Sequence, residues 1–233
     1  MTARFDVVAF DADDTLWHSE DSFDQTENWL VDALAPYVPE GVDVREALRA
    51  TEKAHIPVSG YGVKAYTLSM VTVAVTVTNG ELPSTLCGEI VERGLDMLME
   101  PVRLLDHVPE VLAALGRRYR LALVTKGDLV HQWRKVRTSG LAHHFELIEV
   151  VMEKDVDTYA RVIDLLGVEP SRFCMVGNSV PSDVLPVLAL GGHAVHVPYH
   201  ITWDHELADH DEDLDELASI DQLPELLGRL DTT

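Results

Sequence analysis

The chain has 233 residues, 46% apolar and 25% charged, with 40 acidic side chains against 18 basic ones for a formal net charge of −22. This is ordinary composition for a globular protein, long enough for one large domain or for a core with an insertion. The charge argues against nucleic acid and anionic membrane as partners, because both are held by clustered Lys and Arg.

The first predicted element is a short buried strand over 5–10 (FDVVAF), which ends abruptly in acid at Asp11-Ala12-Asp13-Asp14-Thr15. Helices are predicted over 24–37, where Trp29, Leu30, Ala33 and Leu34 recur at helical spacing, and from Asp43 to about position 55. The segment 66–77 is ambiguous: its Val and Thr content favours strand, its length and surroundings favour a buried helix, and helix is chosen. Another helix follows over 84–99. From there strands and helices alternate: helix 108–119, strand 120–125, helix 129–139, strand 146–151, helix 155–166, strand 172–176, helix 181–190 and strand 193–197. Repeated strand-helix units with short connections predict a parallel sheet covered by helices on both faces. The Asp- and Glu-rich stretch 204–216 reads as a solvated surface.

Asp11, Asp13 and Asp14 fall just past the carboxyl end of the first strand, where open α/β sheets place their ligands. Three carboxylates within four residues repel unless a cation or a shared proton relieves them. Mg²⁺ takes oxygen ligands and commonly combines one or two carboxylates with a substrate phosphate, so a metal-assisted site is expected; the competing reading is an acidic loop that only caps an element. Thr125 closes its strand, Lys154 stands between a strand and a helix, and Gly177-Asn178-Ser179-Val180-Pro181-Ser182-Asp183 follows another strand. Taken singly, Thr125 is a turn residue and Lys154 a solvated side chain. Their recurrence at successive strand ends is the stronger signal.

Asp11-Ala12-Asp13-Asp14-Thr15 resembles the first motif, Asp-x-Asp-x-Thr, of the haloacid dehalogenase-like (HAD) hydrolase superfamily, and Thr125, Lys154 and the 177–183 segment resemble its later motifs in order. The resemblance covers the whole chain. It implies an α/β fold: a Rossmann-like parallel-sheet core from 1–16 and 105–233, helices on both faces, and an inserted, mostly helical cap from 17–104. It also implies a Mg²⁺-dependent phosphatase for a small phosphomonoester. Asp11 is then the nucleophile that forms an aspartyl-phosphate, and Asp13 the general acid and base. Thr125 and Lys154 stabilise the phosphoryl group with Asp11, and Lys126 adds donors for substrate. The metal set is Asp11, Asp13, Asn178 and Asp183. Asn178 departs from the family pattern, which has an acid there, and leaves open whether it or Asp183 meets the metal. Asp14 is structural.

Other reactions of the superfamily stay open: phosphomutase, phosphonatase and dehalogenase, although dehalogenases lack the second acid. A non-catalytic phosphate-binding protein also stays open. Expected partners are a small phosphorylated metabolite and no nucleic acid or membrane, in a monomer or homodimer. The start of the first strand within a few residues leaves no signal peptide, and the apolar run 65–77 is too short to span a bilayer, so a cytoplasmic protein is expected. Cys87 and Cys174 show no zinc-ligand spacing and are read as free. His193, His196, His200, His205 and His210 are read as structural or surface residues.

Overall fold

In chain order, β1 (Val7–Phe10) is followed by four helices, α1 (Glu20–Leu34), α2 (Val44–Ser59), α3 (Val63–Val77) and α4 (Ser84–Met99). Alternation follows: α5 (Val108–Leu115), β2 (Arg120–Lys126), α6 (Leu129–Ser139), β3 (Leu147–Val151), α7 (Val156–Leu166), β4 (Phe173–Gly177), α8 (Leu185–Ala189) and β5 (His193–His196), with α9 (Leu226–Thr232) near the end. The structure is a computed structural model and describes residues 4–201 and 222–232. The acidic stretch 204–216, with His205 and His210, lies outside the described residues.

The five strands form one parallel sheet in the order β3-β2-β1-β4-β5. β1 is central and buried throughout, which is why its run is apolar without alternation. Its residues still divide by face. Val8 and Phe10 pack with Leu121, Leu123 and Val176 and with Leu112 and Leu115 of α5, whereas Val7 and Ala9 pack with Val124, Met175 and the Tyr159, Val162 and Ile163 face of α7. The chain moves from β1 to β2 and β3 on one side and then crosses to β4 on the other. That reversal puts the crevice for a ligand beyond the carboxyl ends of β1 and β4.

The chain separates into two compact units, 1–19 with 102–233 and 20–101. The division falls three residues inside the limits read from sequence at each junction, because Trp17 belongs with the sheet. Trp17 is fully buried in its core and bridges to Leu104, and His18 N–H donates to the Arg103 carbonyl at 3.0 Å.

The unit 20–101 has its own core, built from Leu30, Leu48, Met70, Val73, Ile90 and neighbours. The ambiguous segment is helix α3. Its hydroxyls explain how a Thr-rich sequence stays helical: Thr67, Thr72 and Thr76 donate to carbonyls four residues back at 2.7, 2.8 and 2.8 Å. The polar half of each β-branched side chain is thereby satisfied inside the helix. α3 and α4 approach closely at Gly94, where a Cβ would stand 2.1 Å from Thr67 Oγ1. Two boundaries differ from expectation. α1 starts at Glu20, its first-turn Glu20 and Asp21 suiting the helix dipole. α2 runs past Pro57 to Ser59, since Pro57 stands in the last turn and Gly60 N–H closes the helix on the Ile56 carbonyl at 2.9 Å.

Burial pushes the Glu52 carboxyl of α2 up from 4.5 to about 7, with the Glu27 carboxylate adding and Arg49 opposing. The folded chain therefore holds a proton that the unfolded chain has released. This contribution to stability is fully present below pH 4.5 and drains away as the pH rises through about 7. Glu52→Gln is expected to stabilise the protein by about 1–3 kcal/mol near pH ~8 and to be neutral near pH ~4. Thermal melts at the two pH values check it, and a pH-independent difference would contradict the assignment.

Candidate active site

The loop leaving β1 turns back on itself at once. Leu16 N–H donates to the Ala12 carbonyl at 2.8 Å, and Asp14 N–H to the Trp17 carbonyl at 2.7 Å. Asp14 holds the turn in the left-handed region (φ 61°), which Asp tolerates better than most residues, and its carboxylate accepts from Ser19 N–H at 2.8 Å. Its role is structural. The turn leaves Asp11 and Asp13 at the sheet's carboxyl edge, and Asp11 N–H is tied to the Val176 carbonyl at 2.9 Å.

Asp11 is buried, and its Oδ1 accepts from the Lys154 ammonium. Lys154, also buried, donates to Asp183 Oδ1 at 2.7 Å. One ammonium, from the loop after β3, thus lies between two carboxylates that follow the central strand β1 and its neighbour β4. Burial alone would lower Lys154, but Asp11 and Asp183 more than offset it and hold it well above its ordinary value. Burial pushes Asp11 upward from its ordinary value, Lys154 opposes, and the charges of Asp183 and Asp13 add to the rise. This is a site short of positive charge, with two buried acids on one cation.

Asp183 is spent on the protein. Its Oδ1 takes Lys154 and the Tyr159 hydroxyl (3.4 Å), and its Oδ2 takes Ser179 N–H at 3.0 Å. The β4 loop can wrap it because residue 177 is Gly: a Cβ there would lie 2.2 Å from Asp183 Oδ2. Asn178 is turned the other way. Its side-chain amide faces the Asp11 carboxylate at 3.2 Å, the Asp13 backbone carbonyl at 3.1 Å and the Thr15 hydroxyl at 3.1 Å, and with its NH₂ toward them it satisfies all three. His196 Nε2 lies 3.0 Å from the Asn178 carbonyl, and burial lowers the ring's pKa, so the neutral imidazole donates and steadies this loop.

These contacts test whether the residues fit a metal. Among the described residues no three His, Cys, Asp or Glu side chains form a cation cluster. The oxygens that do converge are of mixed type: one Asp11 carboxylate oxygen, the Asp13 main-chain carbonyl and the Asn178 amide. All are hard donors suited to Mg²⁺, and turning the Asn178 amide would present its oxygen to an ion on the other two. The donor set fits, with Asp183 supporting it from behind.

Asp13 points its side chain elsewhere. Oδ1 accepts from Trp17 Nε1 and from Lys135 Nζ (2.6 Å), and Oδ2 from Lys135 Nζ (2.8 Å) and Gln132 Nε2 (3.1 Å). Burial pushes Asp13 up, but Lys135, Trp17 and Gln132 outweigh it and bring the carboxyl below its ordinary range. Thr125, buried at the end of β2, accepts from Gln132 Nε2 at 2.7 Å, which leaves its own hydroxyl proton to donate. Lys126 instead donates to Ser182 Oγ at 2.9 Å.

The structure therefore brings Asp11, Asp13, Thr125, Lys154, Asn178 and Asp183 to one edge. Sequence reasoning missed Gln132, Lys135 and Tyr159. A signal existed for two of them: Gln132 and Lys135 lie at helical spacing with buried Val136, so polar groups occupy the inward face of α6.

A model of the haloacid dehalogenase-like hydrolase family matches residues 5–191. A glyceraldehyde 3-phosphate phosphatase from Methanothermobacter thermautotrophicus is 30% identical over 121 residues, 48% of this chain and 53% of the relative, so the chain spans about half the length of that relative. Among solved structures, a haloacid dehalogenase-like family hydrolase from Xanthomonas campestris is 37% identical with a TM-score of 0.85, covering 98% of this chain and 93% of that one. A 2-haloacid dehalogenase from Pseudomonas syringae pv. tomato shares the fold at a TM-score of 0.63 and 21% identity, over 97% of this chain and 98% of its own.

Proposed function

Because the chain belongs to the haloacid dehalogenase-like hydrolases, we propose that it is a Mg²⁺-dependent phosphatase that hydrolyses a small phosphomonoester through an aspartyl-phosphate. The observation that carries this reading is the second acid. Asp13 stands two residues after the buried Asp11 and has its own donors, so the two carboxylates occupy different environments. Separate environments for two acids are how one site obtains separate roles from them. A dehalogenase, whose ester forms at carbon, has no use for an acid at Asp13.

In the proposed reaction an Asp11 carboxylate oxygen attacks phosphorus, the bond from phosphorus to the ester oxygen breaks, and Asp13 protonates the departing alcohol. Bringing a negative phosphoryl group near Asp13 raises its proton affinity against the pull of Lys135. Water then attacks phosphorus and gives up a proton to Asp13, which returns to its acid form, and the Asp11–phosphorus bond breaks to release inorganic phosphate. Thr125 donates its hydroxyl to the phosphoryl oxygens, and Lys154 balances the charge that gathers on them and on Asp11. Asp11, the Asp13 carbonyl and Asn178 would hold the Mg²⁺, which supplies positive charge for the phosphoryl oxygens. Asp183 fixes Lys154. Lys126 is a donor to the 182 loop and adds to substrate binding through it.

The net charge of −22 disfavours polyanions, so sugar and nucleoside monophosphates are the expected class. Residues 20–101 are assigned the choice among them. Among the described residues no helix is long and apolar enough to cross a membrane.

The reading is tested by phosphate release from p-nitrophenyl phosphate and a panel of metabolite monophosphates, with Mg²⁺ and with EDTA. Turnover is expected with Mg²⁺ and is expected to fall at least about 100-fold with EDTA. Turnover indifferent to chelation, or hydrolysis of 2-haloacids in preference to phosphates, would replace this reading.

A further inference from the structure

A carboxylate offers about four lone-pair directions, and in Asp13 all four are taken. Lys135 fills one on each oxygen, Trp17 a second on Oδ1 and Gln132 a second on Oδ2. Lys135 and Gln132 belong to none of the four motif segments; both project from α6, three residues apart and so on one helix face. Gln132 is buried and the Lys135 side chain is only 12% exposed, so neither is a solvated side chain caught in passing. The same Gln132 nitrogen reaches Thr125 Oγ1 at 2.7 Å and the Lys126 carbonyl at 3.2 Å, tying the acid on β1 to the hydroxyl on β2.

This matters because the terminal torsion of Asp is soft. Rotation about χ2 is broad and roughly two-fold, so the side chain alone does not fix the plane in which its oxygens lie. Proton transfer to a leaving oxygen depends on that plane. We propose that Lys135, assisted by Gln132, is a positioning residue for the leaving-group step, holding the Asp13 carboxyl where the departing alcohol oxygen meets it. A substrate oxygen that engages Asp13 displaces one of the four contacts, and the remaining three keep the plane. The inference rests on the phosphatase reading, in which Asp13 protonates the alcohol.

The test compares wild type, Lys135→Met and Lys135→Arg on a panel of aryl and alkyl phosphates, p-nitrophenyl phosphate and glycerol 2-phosphate among them, with Mg²⁺ present. A nitrophenolate leaves with little help, whereas an alkoxide needs its proton. Lys135→Met is expected to lower kcat about 30–100-fold on alkyl phosphates and less than about 3-fold on aryl phosphates, with KM within about 2-fold and most of the loss recovered in Lys135→Arg. Equal losses on the two classes, or none on either, would overturn the role of Lys135. Should Lys135→Met fail to fold, the same comparison is made with Lys135→Gln, which keeps a polar donor but not the charge, and equal losses on both classes, or none on either, are again fatal to the proposal. Wild-type protein inert toward every phosphomonoester would instead overturn the phosphatase reading, and the positioning role with it.

Discussion

Asp11→Asn is expected to abolish turnover, lowering kcat by about 10⁴-fold or more as deletion of a nucleophile does elsewhere, while the protein stays folded. Both halves follow from the same geometry. Asp11 is the carboxylate that Lys154 presents at the edge of β1, and an amide of the same shape has no anionic oxygen with which to attack. Yet Lys154 still has Asp183 at 2.7 Å, so the substitution strands no cation. It also removes one of two acids crowded on one ammonium, which relieves the burial that pushes Asp11 upward. The measurement is an acid quench during turnover of a radiolabelled monoester. Wild type retains base-labile phosphate on the protein, and Asp11→Asn retains none. Label persisting in the variant would mean that another residue is the nucleophile.

Lys154→Met is expected to be the most damaging single change to both stability and activity. Asp11 and Asp183 are 6% and 1% exposed, and without Lys154 they would keep only neutral hydrogen-bond donors, such as Tyr159 and Ser179 N–H on Asp183, with no cation between them. Removing one partner of a buried ionic group costs about 3–5 kcal/mol because the charge left behind has no water. The sign with pH is definite. Burial already pushes Asp11 above its ordinary value and Lys154 is what opposes the rise, so in the variant the Asp11 carboxyl goes higher still, protonation relieves it, and the deficit grows as the pH rises. Melts near pH ~5 should therefore bring the variant closer to wild type than melts near pH ~8. Catalysis is not recovered along with the fold, since the charge opposite the phosphoryl group is gone and about 10²–10³-fold in kcat goes with it. A uniform loss of Tm at every pH would show that the methylene packing of Lys154, not its charge, supports the core.

The sheet and four of its site positions were legible because the physics is cumulative. Asp11, Lys154 and Asp183 each follow a strand and Thr125 stands near the end of one, and parallel pairing such as Phe10 with Leu123 and Val176 makes those ends neighbours without further information. At Asn178 and Asp183 the structure adds hydrogen bonds that sequence could not supply, and they favour Asn178 as the group facing Asp11. Asp183 engages both oxygens, with Lys154 and Tyr159 on one and Ser179 N–H on the other, and the Asn178 amide is the group that meets Asp11 and the Asp13 carbonyl. Lys135 and Gln132 were not read as site residues because their contact with Asp13 depends on which face α6 lays on the sheet, a matter of packing and not of spacing to any motif. α3 was ambiguous for a related reason: β-branched residues argue for strand until their hydroxyls find carbonyls one turn back.

The position of β1 in the chain has a consequence for how the molecule is made. β1 comes before the 20–101 unit, yet its two neighbours are β2, beginning at Arg120, and β4, beginning at Phe173. During synthesis the strand that carries both acids emerges with neither edge covered and waits while a complete helical unit, with a core of its own, is produced. Local helical contacts close quickly, and long-range strand pairing is slow. The chain therefore passes through a stage in which the 20–101 unit can be finished while Val7–Phe10 is still an open apolar edge. The charges of Asp11, Asp13 and Asp14, which close that strand in the finished protein, also guard it at this stage, because like-charged ends resist joining strand to strand between nascent chains.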